Sequence, residues 1–367
     1  MEEPSKEKSE RSIEVFSGHI YIFHAFDVGD DINLEKVAQM RAINTIPLSL
    51  PKYFKNYHAP LAIELPHPNE SARCISCKIH NFGAISLTYK IPFTDSFANL
   101  REQFYEINNQ YQEQSVADVK LVFKKIETFI TQPKFFQMRS SYNIIQVHPE
   151  PKKIALSLLQ KKFGALITST MRLETETLSE YQKNEMLGSA IGYYRGNMVI
   201  VDTDTTFIYD DEYQDILEFV EFANLQQLEL HYFDRLLDQK LNAIYESGGS
   251  QRVPLFAYFP FVDTKSNDPV AILGKLKVDI SVITERLEGS IKVAGDPYYT
   301  EIHDQLNQKL DLKSWQQSIE RKLDIVKDVL LVYQHKTDVI RENVLEVLIV
   351  ILIFIELIIG TLHYIKA

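Results

Sequence analysis

Apolar positions follow two regimes along the chain. Residues 12–27 are dense in β-branched and aromatic types, the composition of a strand. A short helix is predicted over 34–41, and Pro47, Pro51 and Pro60 then punctuate a loop region. Residues 72–79 and 84–92, joined around Asn81-Phe82-Gly83, carry a hairpin pattern. Phe97, Leu100, Phe104 and Ile107 mark one helical stretch, and Val119, Val122, Ile126 and Phe129 a second that ends before Pro133. A strand over 141–148 and helices over 152–161 and 178–187 follow, then strands over 190–202 and 205–209. Residues 215–245 form a strongly periodic helix, with Leu230, Phe233, Leu237, Leu241 and Ile244 on one stripe. Strands interleaved irregularly with helices predict an α+β domain over 12–246.

Beyond an irregular segment at 247–268 the pattern becomes helical. Leu273, Leu276, Ile280, Ile283 and Leu287 form one seam. Ile319, Leu323, Val326, Leu330, Tyr333, Thr337, Ile340 and Val344 continue a second in steps of four and three. Between them, Gly295 suits a helix end, Asp296 a helix cap and Pro297 a first helical position. The expected structure is an antiparallel helical hairpin, 270–293 against 297–341, whose seam holds Leu323, Val326 and Leu330 as candidate interface residues.

The second helix runs into the most apolar stretch of the chain. Residues 344–365, about 33 Å as a helix, match a hydrocarbon core of roughly 30 Å. Glu356 lies about two-thirds of the way across and costs on the order of 2.5 kcal/mol facing lipid, so it is expected to face a neighbouring helix. Lys327, Lys336 and Arg341 precede the run and only Lys366 follows, which keeps the amino-terminal part on the cytoplasmic side. The expectation is a tail-anchored membrane protein. The polar, mixed-charge start over 1–11 lacks the apolar core of a secretory signal and reads as a disordered leader.

Composition narrows the chemistry. The 367 residues carry 39 Lys+Arg against 50 Asp+Glu, a net charge of −11, which argues against affinity built on phosphate neutralisation, and no direct nucleic-acid binding is expected. Two cysteines exclude a disulfide scaffold. Cys74, Cys77 and His80 invite a metal or redox reading, but strand alternation puts Cys74 and His80 on one face and Cys77 on the other. Asp202, Asp204 and Asp210 form the densest acidic cluster and are weak candidates for a divalent metal. Read as a calcium loop the cluster fails, with Phe207 where Gly is needed and Tyr213 where a bidentate Glu is needed. Phosphate-binding, dinucleotide and nucleophile-elbow motifs are missing. No catalytic residue and no cofactor are assigned.

The block Gly295-Asp296-Pro297-Tyr298, then Trp315, Glu320-Arg321-Lys322-Leu323, Arg341 and the Glu346–apolar–Glu356 segment resembles the end of the required-for-meiotic-nuclear-division family. The stretch 217–241 is similar to the family's preceding helix, and Phe82-Gly83-Ala84 carries a looser likeness. The resemblance implies anchoring by the terminal helix and, from a mitochondrial member, support of organelle translation as an assembled scaffold. It supplies no catalytic motif. Without a transit peptide, a bacterial inner-membrane member is expected, with the mitochondrial inner membrane as the alternative.

Two functions follow. The first is a non-enzymatic, membrane-tethered, self-associating scaffold or adaptor that recruits a cytoplasmic protein or ribonucleoprotein. The second is a membrane-anchored, metal-dependent hydrolase of a phosphorylated substrate, acting through Asp202, Asp204 and Asp210.

Overall fold

A computed structural model describes residues 14–48, 59–65, 73–135, 138–149, 153–246, five positions within 274–280, and 296–366. The leader at 1–11, the segment at 247–268 and nearly all of the helix expected over 270–293 lie outside them. The fold is α+β. Its strands are β1 (Phe16–Asp27), β2 (Leu61–Ile63), β3 (Cys74–Ile79), β4 (Ala84–Asp95), β5 (Arg139–Val147), β6 (Met198–Val201) and β7 (Thr205–Tyr209). Its helices are α1 (Leu34–Ala38), α2 (Phe97–Ile126), α3 (Leu156–Met171), α4 (Glu180–Gly188), α5 (Gln214–Glu246), α6 (Pro297–Lys309) and α7 (Leu312–Lys366). Two compact units share these elements: described residues up to 229 with those in 287–313, and those in 230–286 with 314–367.

The first unit is a seven-stranded sheet of order β2-β3-β4-β1-β5-β7-β6. β1 and β4 pair antiparallel over twelve residues at its centre, and β5 with β7 is its parallel pair. Alternation along β1 gives the sheet two unlike faces. Ile20, Ile22 and Phe26 join Ile85, Leu87 and Ile145 in an apolar core with Phe104, Val119 and Val122 of α2 and Ile167 of α3. The other face carries Lys78, Ser86 and Ser140, covered by the first half of α5. Lys78 Nζ reaches Glu221 at 2.6 Å and Glu218 at 3.0 Å, Ser86 Oγ donates to Glu221 at 2.8 Å, and His80 Nε2 lies 3.0 Å from Ser86 Oγ. Ser140 Oγ donates to Asn224 at 2.7 Å. Two carboxylates offset the cost of taking the Lys78 charge out of water, and these polar bonds join the apolar packing of Ala25 and Ala84 with Leu225 and Leu228 in holding this helix on the sheet.

Several local expectations change in the fold. The two helical stretches after β4 are one helix, α2. Ser96 caps it, neither Gly nor Pro interrupts it, and its polar middle buries Tyr111, Ser115 and Asp118. The strand expected over 190–202 shrinks to β6, because Gly192 and Gly196 open a loop before it. A bulge between Cys74 and Ser76 shifts the parity of β3, so Cys74 pairs with Tyr89 and packs on the same core as Cys77 instead of opposing it. Both thiols are free, and burial pushes Cys74 up to about 12, which leaves it protonated and inert.

In the second unit α7 is one helix of 55 residues, about 82 Å long. The arm expected over 297–341 is not continuous. It breaks at Asp311, whose φ of 53° places it in the left-handed region between the buried Leu310 and Leu312. The described polar partners of α7 lie on the second half of α5. His231 stacks edge-on against Trp315, Ser318 donates to Asp234, and Lys322 pairs with Asp234 and Asp238 at 2.7 Å each. Contact positions rise together on both helices, so α5 and α7 run parallel there. Leu323 and Val326 are buried.

Candidate functional site

The acidic trio does not converge. Asp202 and Asp204 precede β7 and Asp210 follows it, and six residues of extended chain set Asp204 and Asp210 about 20 Å apart. Asp202 is 1% exposed and taken by cations. Arg172 Nη2 donates to its Oδ1 at 3.0 Å, Arg172 Nε pairs with its Oδ2, and Lys309 Nζ lies 3.6 Å from Oδ1. Burial and the charge of Asp202 raise the Asp204 carboxyl. Asp210 accepts from Asn197 Nδ2 at 3.0 Å and from the Glu212 amide at 3.2 Å. Among the described residues no group of three or more His, Cys, Asp or Glu side chains is placed to hold a metal ion.

A different cluster forms at the carboxyl end of the parallel pair. β5 and β7 finish at the same end of the sheet, where β1 begins. Register sets His19 opposite Gln146 and Tyr21 opposite Lys90, so all four side chains share the α5 side of the sheet. Gln146 is fully buried. Its Oε1 accepts from His19 Nδ1 at 3.1 Å, and its Nε2 donates to the Asp210 carbonyl at 2.9 Å. His148 Nδ1 lies 2.7 Å from Asp211 Oδ1, and the two imidazoles meet edge-on with centroids 5.3 Å apart. Tyr21 and Tyr213 share a 2.8 Å hydroxyl bond, and Lys90 Nζ sits 5.7 Å above the Tyr21 ring.

An amide oxygen can only accept, so His19 carries a proton on Nδ1, whereas His148 Nδ1 meets both an acceptor, the Asp211 carboxylate at 2.7 Å, and a donor, Gln146 Nε2 at 3.3 Å. Burial lowers the His19 pKa, opposed by its bond to Gln146 and reinforced by Lys90 and His148. His148, 31% exposed and 2.7 Å from Asp211, has the carboxylate partner that a general base uses, and the His19 ring stands edge-on beside it. The sequence offered little sign of this cluster. His19 and His148 are 129 positions apart, and only strand register joins them.

The proposed interface residues are placed as follows. Leu323 and Val326 are covered from within the chain, and the side chain of Leu330 lies outside the described ones. Glu356 is exposed on α7, inside the segment Asp338–Leu362, whose mean hydropathy of 2.8 and length of 25 residues make it long and apolar enough to cross a membrane.

A family model described as the N-terminal domain of the uncharacterized protein MJ0711 matches residues 17–215, from the start of β1 to the first turn of α5. The protein of that name from Methanocaldococcus jannaschii is 26% identical over 210 residues, covering 54% of this chain. The chain spans 60% of that relative's length. No solved structure matches the chain significantly. The resemblance to the required-for-meiotic-nuclear-division family is therefore corrected: the family found is another, and the relative is archaeal, so the bacterial or mitochondrial setting and the link to translation lose the support that the resemblance gave them. The misleading residues have general physical roles. Asp296 caps α6 and Pro297 occupies its first turn, as at many helix starts, and an apolar run with a stray Glu is common to unrelated membrane segments. The chain belongs to the family of the MJ0711 N-terminal domain.

Proposed function

We propose that the protein is a membrane-tethered adaptor, which self-associates in the bilayer and presents its sheet domain to a partner. One observation carries this reading. α7 buries Ile319, Leu323 and Val326 and continues without a break into the exposed apolar segment Asp338–Leu362. A helix rooted in a folded unit at one end and lipid-compatible at the other transmits position, which is what a tether needs. Cations before the segment favour a cytoplasmic placement of the rest of the chain. Deleting 338–367 should move the protein from the membrane fraction to the soluble one. A truncated form that still pellets after an alkaline carbonate wash would overturn the tether.

A second reading, hydrolysis, is favoured by the His148–Asp211 pair rather than by the acidic trio. It predicts turnover of a chromogenic ester or phosphoester that falls by about 10²–10⁴ in His148→Gln. Equal rates in both proteins would remove it.

A further inference from the structure

Before it enters the apolar segment, α7 carries apolar side chains on two faces. Ile319, Leu323 and Val326 are buried, yet Ile325, Val332 and Val339 are 50%, 70% and 40% exposed. One residue turns an α-helix by about 100°, so Ile325 and Val332 lie at least about 100° round the axis from Leu323 and Val326. A surface helix normally holds one apolar stripe and turns polar residues to water. Here a second stripe stands open.

Its spacing indicates what it fits. Ile325, Val332 and Val339 recur at seven-residue steps. The full run Ile325, Val329, Val332, Lys336, Val339 and Asn343 alternates steps of four and three, the seam of a left-handed coiled coil. A straight helix drifts about 20° per heptad from a strict seven-residue repeat, so a stripe that keeps the repeat is suited to wrap on another helix. Glu346 interrupts the series within a turn of the bilayer face, and Ile353 and Gly360 resume it inside the apolar segment. Gly360 leaves open space where a side chain would begin, which suits close approach by a second helix.

Two features select that helix. The membrane segment gives every copy one orientation and one height above the bilayer, so α7 of one copy meets α7 of another in parallel and in register. Confinement to one membrane also raises the effective concentration, and a short seam then suffices. In such a pair Lys336 and Asn343 fall at equivalent seam positions. A polar residue there fixes register and oligomer state in parallel coils, at some cost in stability.

We propose that this stripe is a homodimer interface, a parallel two-stranded coiled coil formed with α7 of a second copy and running into the bilayer. The assignment rests on the self-association in the adaptor reading and extends it to the part of α7 outside the membrane.

The test is oxidative crosslinking of single added cysteines with copper phenanthroline, in the full chain in its membrane. Cys74 and Cys77 stay in place, since burial keeps both thiols protonated. A disulfide needs Cα atoms within about 7 Å of each other. Ile325→Cys, Val332→Cys and Val339→Cys should each give at least about fivefold more covalent dimer than Lys327→Cys and Arg341→Cys, which lie on other faces. Ile325→Ser/Val332→Ser should lower the dimer formed through Val339→Cys severalfold while the melting temperature holds. Equal yields on all faces would reduce the crosslinks to random collision and overturn the proposal. Absence of dimer at 325, 332 and 339 would overturn it too: thiols that resist a maleimide would show another part of the chain on the stripe, and reactive ones would show it bare. A fall in melting temperature in the serine variant would assign the stripe to packing within the chain, against the proposal. Dimer through Gly360→Cys alone would strike the stalk interface and leave self-association in the bilayer standing, whereas failure at every position would strike both.

Discussion

Asp27, the last residue of β1, shows how much a single side chain's setting matters. It is 4% exposed, and burial pushes its carboxyl up to about 7. The Gly29 amide and Lys134 pull it down, while Asp30 pushes it further up. Glu229, also buried, faces Asp27 and is raised well above an ordinary glutamate. Both carboxyls bind a proton more tightly folded than unfolded, so their contribution is fully present below about pH 4 and is lost as pH rises through 7. His24 and His80 act oppositely. Burial holds each near 3, so the stability they contribute above 6.5 is lost as pH falls. Melting temperature should therefore peak between these limits. Asp27→Asn should flatten the fall between pH 5 and 8, raising stability at pH 8 by a few kcal/mol. Superimposable melting-versus-pH curves for the two proteins would show that Asp27 is not the buried acid that sets the slope.

At the scale of elements, the seam of α7 is decided by what covers it. The 3-4 spacing of Ile319, Leu323 and Val326 was plain in the sequence, but its partner was not. Beside that seam, Asp234, Asp238 and His231 of the second half of α5 meet Ser318, Lys322 and Trp315 of α7 in parallel. Val326 is fully buried in the single chain, so Val326→Asp should cost on the order of 4 kcal/mol and lower the melting temperature without altering particle mass. Light scattering that showed halved mass with unchanged melting would place the seam between copies instead. Strand β3 makes the same point in miniature. One extra residue between Cys74 and Ser76 moves Cys74 to the opposite face, and no composition rule signals a bulge.

For the molecule as a whole, the exposed segment Asp338–Leu362, long and apolar enough to cross a membrane, carries the proposed tethering and self-association. Glu356 is exposed between the apolar Ile355 and Leu357. Gly360 stands one turn further on the same face, with open space where a side chain would begin. A carboxyl and a small residue on one face favour close approach by a second helix. Glu356→Leu should then reduce oligomer size in detergent while membrane insertion is kept. An unchanged size distribution would take Glu356 out of the interface.

By itself the sequence determined what is local. Strand alternation at β1 and β4, the caps of α2 and α6, the turn at Gly83 and the membrane-length apolar run each depend on residues within a few positions, where sterics and hydrogen bonding act directly. Tertiary structure alone decided which polar groups meet. Lys78 finds Glu221 from 143 positions away, and Asp202 is claimed by Arg172 and Lys309 rather than by its neighbours Asp204 and Asp210. His19, Gln146 and His148 become one cluster through the register of β1 on β5, and Tyr298 reaches the Tyr193 loop from another part of the chain. Pairing of that kind follows from sheet order and helix packing, long-range choices made to bury the whole core, so no single segment of sequence encodes it.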